Sequence, residues 1–257
     1  MSLKSHFDTY GYVLCEGVLG ASFRARIQDS MLAIMQPYCE DGPVDEDPQA
    51  AIDRCFSYIA SLGPEEKSTI YTMFGRIHEL PLLLDQPGIR DVVKQLGFSK
   101  FTIQAYSVFC LEPGNTRHKF LPHQDLRNRT SLKSLLVWVP LSSGQALGGM
   151  ACWPGSHKSG PIRHELSAGG QLMLAADEYA RYKRRDLTGY SPGDVIFMDP
   201  YLIHESVENT GDAIRWTAVL KIDDIDSNKH LLIDLHPFPI DQFIDSRPNA
   251  ERLTTSR

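Results

Sequence analysis

The sequence predicts a mainly β fold with added helices, and two observations support that prediction. From residue 101 to about residue 224, short β-rich runs are interrupted by glycine and proline at close spacing. This pattern is typical of a sandwich or barrel rather than of alternating βαβ units. The first hundred residues instead carry apolar side chains at helical spacing between turn signals. We therefore expect a β core preceded by a mostly helical layer.

Capping and turn residues delimit the predicted elements. Ser22 is a suitable N-cap for the first helix, and Gly97 is a suitable C-cap for the last helix of the layer. The polar stretch 177–186 is expected to be an exposed helix, either a lid over a pocket or a solvated face. Predicted helices span residues 22–35, 52–62, 64–74 and 89–96, and predicted strands span 10–15, 101–111, 132–140, 149–153, 194–197, 205–209 and 216–222.

The length of 257 residues suits one large domain. We expect a single domain over residues 1–257, made of three parts. These are a helical layer over 1–100, a β core over 101–224 and a C-terminal extension over 225–257. The oligomeric state cannot be predicted from these features.

Charge and cysteine content narrow the class of protein. A net charge of −6 argues against general affinity for nucleic acid or anionic membranes. No apolar run approaches the ~18 residues of a membrane span, and the N-terminus does not resemble a signal peptide. The five cysteines are odd in number and lack CxxC spacing, which predicts reduced thiols in a cytoplasmic protein.

An H-x-D sequence within the β-rich half suggests a metal site. His123 and Asp125 are two residues apart, so on a strand their side chains point to the same face and can reach one ion. His204, after a later apolar stretch, can complete a set of two histidines and one carboxylate. Such a set leaves adjacent coordination positions open and is typical of non-haem Fe(II) oxygenases. A second H-x-D, His6 to Asp8, precedes the first strand and is not expected to bind metal.

A single arginine in an apolar strand-like run points to an anion. Arg215 precedes the run 216–220, and a buried arginine requires a fixed anionic partner. If Arg215 and Ser206 face the interior beside His204, they can hold the far carboxylate of a chelating keto acid. The alternative is an internal ion pair between Arg215 and an acid such as Asp199 or Glu205.

These residues, in this order, resemble the phytanoyl-CoA dioxygenase branch of the Fe(II)/2-oxoglutarate oxygenases. The connecting segments Leu136-Val-Trp-Val-Pro-Leu141, Pro154-Gly-Ser-His-Lys158 and Pro192-Gly-Asp194 are similar to the family's W-x-P-L, PGSHK and GD elements. The resemblance is strong from about Gln104 to Asp224. It implies a double-stranded β-helix, a jelly roll of cupin-like type, with the N-terminal helices packed on one sheet.

The resemblance also implies a cofactor and a cosubstrate. Fe(II) would be held by His123, Asp125 and His204, and 2-oxoglutarate would chelate it with O₂ as the oxidant. The distal carboxylate of 2-oxoglutarate would lie on Arg215 and Ser206. The family position that lines the cofactor pocket is occupied here by Trp138, and a position near cosubstrate or substrate is occupied by Gln104.

The implied reaction hydroxylates an unactivated C–H bond of a small or medium metabolite and releases succinate and CO₂. The same iron site can instead support desaturation, epimerisation or cyclisation, and the sequence does not distinguish these outcomes. Halogenases of this general fold lack the carboxylate, so the presence of Asp125 argues against halogenation. A non-oxygenase cupin-like metal protein and a zinc hydrolase are further alternatives, although the retained pair of Arg215 and Ser206 favours the oxygenase.

A group of basic residues flanks the H-x-D sequence. In an acidic protein, this local positive charge can attract an anionic substrate. The alternative is an ordinary solvated loop. The candidate substrate residues are Arg117, Lys119, Arg127 and Arg129.

Overall fold

The computed structural model describes residues 1–39, 47–116, 119–126 and 129–226. Within these residues the α-helices are α1 (Leu3–Tyr10), α2 (Ala21–Met35), α3 (Pro48–Leu62), α4 (Pro64–Phe74), α5 (Glu79–Leu82), α6 (Pro87–Gln95) and α7 (Ala176–Tyr179). The strands are β1 (Tyr12–Cys15), β2 (Phe101–Leu111), β3 (Ser134–Pro140), β4 (Gly149–Cys152), β5 (Glu165–Leu166), β6 (Leu172–Met173), β7 (Arg185–Thr188), β8 (Val195–Met198), β9 (His204–Val207) and β10 (Arg215–Asp224).

Two antiparallel sheets form the core, as the sequence predicted. The larger has the strand order β1-β8-β3-β10-β2, and the smaller has the order β7-β4-β9. Side chains alternate along each strand of the larger sheet, so its two faces belong to different apolar clusters. Trp138 and Val219 lie on the face that packs against Met150 of the smaller sheet. Val137 and Trp216 lie on the opposite face, which packs against the helices. The site described below lies between the two sheets.

The N-terminal helices cover one face of the larger sheet. Trp216 is fully buried, and its indole meets Phe56 of α3 and Phe74 of α4 edge-on at centroid distances of 4.9 and 5.5 Å. Aromatic pairs of this geometry stabilise packing beyond the area they bury. This arrangement confirms the prediction of helices packed on one sheet of a jelly roll.

Most predicted elements are present, and the differences have local causes. Both α4 and β2 have the predicted bounds, whereas α3 starts earlier because Asp47 caps it by accepting a hydrogen bond from the Gln49 amide. Helix α1 was not predicted. The helix expected over 177–186 is wrong beyond Tyr179, where α7 ends, and β7 begins at Arg185. Of the β7 residues only Leu187 is buried, so the apolar alternation that marks a strand is weak there.

No helix in the described part of the chain is long and apolar enough to cross a membrane. All five cysteines lie in described residues, and all are free thiols.

Asp53 of α3 connects the helical layer to the start of β10. Its carboxylate accepts hydrogen bonds from the Ile214 amide at 2.7 Å and from the Trp216 indole at 2.8 Å. Burial raises the pKa of Asp53. We expect Asp53→Ala to lower the free energy of unfolding by about 2–4 kcal/mol, because two buried donors lose their acceptor. Urea unfolding measures this, and Asp29→Ala on the exposed side of α2 is the control. Equal midpoints for the two variants would contradict the role of Asp53.

Candidate metal centre

The H-x-D segment runs beside β9 and pairs with it. The His123 amide donates to the carbonyl of His204 at 2.9 Å, and the His204 amide donates back at 3.0 Å. Two residues on, the Ser206 amide donates to the carbonyl of Phe120 at 2.9 Å, and the Asp125 amide donates to that of Pro200 at 2.9 Å. Backbone pairing between segments about eighty residues apart therefore brings the two histidines together.

Each histidine presents one free nitrogen to the same point. His123 Nδ1 lies 2.7 Å from the carbonyl of Leu121, and His204 Nδ1 lies 3.0 Å from that of Leu202. A carbonyl only accepts, so both Nδ1 atoms carry the proton and both Nε2 atoms are available as ligands. Together with an oxygen of Asp125, the candidate ligand atoms lie within 4.8 Å of one another. This donor set fits one divalent transition-metal ion with open coordination positions.

The protonation states also suit a metal. Burial and, to a lesser extent, the neighbouring His204 together lower the pKa of His123 to about 3. Burial alone would raise the pKa of Asp125, but Lys221 and the two histidines hold it well below its usual range. At neutral pH the site thus contains a neutral His123 and an ionised Asp125, the forms that coordinate metals.

Two residues that the sequence analysis did not identify hold the H-x-D segment in place. The buried side chain of Gln124 donates to the carbonyls of Gly160 and Tyr201 at 2.9 and 2.6 Å and accepts from the Ile162 amide at 2.8 Å. The backbone N–H of Gln124 donates to Nε2 of the buried His164 at 2.9 Å. Gln124 could have been noticed as the middle residue of the H-x-D sequence, whereas nothing in the sequence linked His164 to Gln124.

We expect Gln124→Leu to weaken metal binding about ten- to a hundredfold, because outer groups that orient ligands have effects of this size. Titration of the metal-free protein with Co(II) measures the affinity. Gln95→Leu, an exposed position at the end of α6, is the control. A folded Gln124→Leu protein with the affinity of the control would show that these hydrogen bonds do not position the ligands.

Arg215 is buried, and none of the described residues offers it a carboxylate partner. Its Nη1 donates to the carbonyls of Val207 and Leu147 at 2.6 and 3.3 Å. Of the acids considered as internal partners, Glu205 pairs with Arg184 at 2.9 Å and Asp199 accepts from the Tyr201 amide. Among the described residues no ion pair includes Arg215, so that alternative is not supported. Burial lowers the pKa of Arg215 to about 10, which leaves it charged at neutral pH.

One cavity of about 240 Å³ joins these groups. Its wall includes the three candidate ligands together with Arg215 and Ser206. Trp138 also lines the cavity. Since a buried cation and three candidate metal ligands open onto one space, a single chelating anion can contact both.

Of these candidates, the described residues Gln104, Lys119 and Arg129 do not line this cavity. Gln104 occupies a β-bulge of β2, where Lys221 pairs with Ala105 and the next residue pairs with Ile103. The guanidinium of Arg129 is buried, stacks 4.3 Å above the Tyr201 ring and donates to the carbonyl of Leu132 at 2.6 Å. Lys119 is half-buried beside Phe120.

Arg117 and Arg127 lie outside the described residues. The roles assigned to Gln104 and to the four basic residues therefore stay predictions. One positively charged side chain of the cavity wall, that of Lys221, was not predicted. Lys221 lines the wall and donates to Oδ1 of Asp125 at 2.6 Å.

Comparison with known proteins agrees with the fold and the site. Residues 7–217 match the phytanoyl-CoA dioxygenase family, and the chain belongs to that family. A curated relative, 1-deoxypentalenic acid 11-beta-hydroxylase of Streptomyces exfoliatus, is 26% identical over 95 residues, which is 34% of this chain. The match spans only about a third, 31%, of that relative's length.

Solved structures share the fold at low identity. The epimerase SnoN in complex with Fe³⁺, alpha ketoglutarate and nogalamycin RO has a TM-score of 0.59 at 18% identity, covering 86% of this chain and 82% of the other. The carbocyclase SnoK from nogalamycin biosynthesis has a TM-score of 0.56 at 20% identity, covering 86% and 83%. EctD from S. alaskensis, solved with 2-oxoglutarate and 5-hydroxyectoine, has a TM-score of 0.55 at 18% identity, covering 86% of this chain and 75% of the other.

Family, fold and donor set all agree with the class predicted from the sequence, the non-haem iron, 2-oxoglutarate-dependent oxygenases. The solved neighbours include an epimerase and a carbocyclase, so proteins of this fold differ in the reaction that they catalyse.

Proposed function

We propose that this protein is an Fe(II)/2-oxoglutarate-dependent dioxygenase that hydroxylates an unactivated C–H bond of a small or medium metabolite. One observation carries the proposal: two histidine Nε2 atoms, the Asp125 carboxylate and Arg215, to which no described residue offers a carboxylate, open onto one cavity. Succinate and CO₂ are the expected coproducts. The five free thiols fit a reducing compartment, so a cytoplasmic location belongs to the proposal.

Each residue has a defined task in this mechanism. His123, Asp125 and His204 hold the iron, and Arg215 with Ser206 binds the distal carboxylate of 2-oxoglutarate. When bound, the iron activates O₂ with electrons from the keto acid and supplies the oxidant for the C–H bond. Trp138 and the apolar wall exclude water, and the enclosed charge of Arg215 fixes which end of the keto acid reaches the metal.

The wall indicates an apolar reacting part of the substrate. Apolar side chains dominate it, namely those of Phe109, Phe120, Leu136, Met150, Met198 and Val219. Apart from Arg215, which is assigned to 2-oxoglutarate, the charged side chains of the wall have partners, because Lys221 is paired with Asp125 and Glu205 with Arg184. A neutral apolar carbon skeleton therefore loses the least solvation on entering the cavity.

An anionic group on the substrate is a separate part of the proposal. Lys119 is next in sequence to Phe120, whose ring lines the cavity and is 42% exposed. A carboxylate at the far end of an apolar skeleton would meet Lys119 and, on the sequence prediction, Arg117 and Arg127. The curated relative named for an acid substrate, 1-deoxypentalenic acid, is consistent with such a ligand.

We further propose one domain over residues 1–257, because α3 and α4 pack directly on Trp216 of the β core. Residues 227–257 of the expected C-terminal extension lie outside the described part of the chain.

Product analysis tests the proposed reaction. The protein is incubated with Fe(II), 2-oxoglutarate, O₂ and a panel of apolar metabolites, with and without a carboxylate, and succinate release is measured against a control without metabolite. We expect stimulated succinate release and a product heavier by one oxygen atom. A product lighter by two hydrogens would replace hydroxylation by desaturation or cyclisation, and a product of unchanged mass would replace it by epimerisation.

Phe120 is expected to contact the substrate. Its ring packs edge-on against Phe109 at 5.6 Å and lies 5.6 Å from the His123 ring. We expect Phe120→Ala to raise KM for the substrate about tenfold, the value of roughly 1.4 kcal/mol of lost apolar contact, while Kd for 2-oxoglutarate stays unchanged. Steady-state kinetics measures this, with Tyr38→Ala, an exposed aromatic outside the cavity, as the control. An unchanged KM would place the substrate elsewhere.

A further inference from the structure

The two oxygens of Asp125 have different surroundings. Oδ1 accepts a hydrogen bond from Lys221 at 2.6 Å, whereas Oδ2 lies 3.6 Å from Nε2 of His204. The second distance is too long for a hydrogen bond, and His204 Nε2 is the nitrogen left free for a metal. Oδ2 is therefore the oxygen beside the free His204 Nε2, and Oδ1 is the oxygen that the Lys221 ammonium group occupies.

The fold places Lys221 for this contact. Along β10, Lys221 shares a face with Arg215, and both line the cavity. Its register partners are Leu136 of β3 and Ala105 of β2, just before the bulge. The side chains of Lys221 and Asp125 are only 22% and 19% exposed, so solvent weakens their attraction little.

We propose that Lys221 is a positioning residue that holds Asp125 as a one-oxygen ligand. The inference rests on the proposed function. A carboxylate can bind a metal through one oxygen or through both. If Asp125 used both, it would occupy a position that the keto acid or O₂ requires. The ammonium group of Lys221 occupies Oδ1 and so keeps that position open.

The experiment compares four proteins: the wild type, Lys221→Met, Lys221→Arg and a control. Lys67→Met is a matched control, because Lys67 forms a similarly half-buried ion pair with Glu112 at 2.8 Å outside the cavity. Metal-free protein is titrated anaerobically with Co(II) alone, and its visible spectrum reports the coordination. 2-Oxoglutarate is then added, and its Kd is measured.

We expect Lys221→Met to bind Co(II) with an altered spectrum and to bind 2-oxoglutarate about tenfold or more weakly than wild type. Lys221→Arg, which keeps a cationic donor, and Lys67→Met should both stay close to wild type. A Lys221→Met protein with the wild-type spectrum and Kd would overturn the inference while leaving the proposed function intact. Equal losses in Lys221→Met and Lys221→Arg would also overturn it, because they would show a need for side-chain shape rather than charge. If the wild type itself failed to bind 2-oxoglutarate, the proposed function would fall.

Discussion

Replacing Asp125 or His123 by alanine is expected to lower 2-oxoglutarate turnover by about a thousandfold or more, equivalent to about 4 kcal/mol or more in activation free energy. Each substitution removes one of the three side chains whose donor atoms lie within 4.8 Å of one another. The loss also follows from the charge balance, since Asp125 is the only carboxylate in that group. Succinate formation with saturating Fe(II) and 2-oxoglutarate measures the effect.

The chain supplies a matched control in its other H-x-D sequence. His6 and Asp8 lie on α1, where positions two apart point to different sides of the helix. The His6 ring packs against Tyr10 in a tilted arrangement at a centroid distance of 4.6 Å, and Asp8 pairs with Lys4. His6→Ala should therefore keep the wild-type turnover. Comparable activity in His123→Ala and His6→Ala would remove His123 from the metal site.

Replacing Arg215 by alanine is expected to weaken 2-oxoglutarate binding by about 2–4 kcal/mol, or about thirty- to a thousandfold in Kd. The reason is that Arg215 is buried and that no other described residue offers its charge a carboxylate. Lysine at this position keeps the charge but loses the planar pair of donors, so Arg215→Lys should give an intermediate Kd. Iron affinity should change little in either variant. Equilibrium titration with 2-oxoglutarate under anaerobic conditions separates these quantities.

Arg90→Ala, on the exposed face of α6, controls for the loss of one positive charge from the protein. If Arg215→Ala bound 2-oxoglutarate like Arg90→Ala, the distal carboxylate would have to be held elsewhere in the cavity.

The sequence was most informative where chemistry requires particular residues at fixed spacing. The pair His123 and Asp125 could be identified because a period of two places both on one face of an extended segment. Arg215 was noticeable as a charge in an apolar run. Strands β3 and β8 of the larger sheet were predictable because they are buried on both faces, which requires nearly continuous apolar runs.

Residues that act across long sequence separations could not be predicted in the same way. Lys221 meets Asp125 across 96 positions, and Gln124 meets His164 across 40. Neither contact leaves a local pattern in the sequence. The register of the sheet determines the contact of Lys221 with Asp125, and loop packing determines the contact of Gln124 with His164. Arg129 illustrates the converse, since a basic residue beside the H-x-D sequence is buried over Tyr201 outside the cavity.

The most direct test of the proposed function is the anaerobic addition of Fe(II) and then 2-oxoglutarate to metal-free protein, followed in the visible range. Chelation of the iron by the keto acid produces a weak charge-transfer band. We predict this band for the wild type, a weaker band at equal 2-oxoglutarate concentration for Arg215→Ala, and no band for Asp125→Ala. Bound iron without a band in the wild type would contradict the account, because it would mean that 2-oxoglutarate does not chelate the metal.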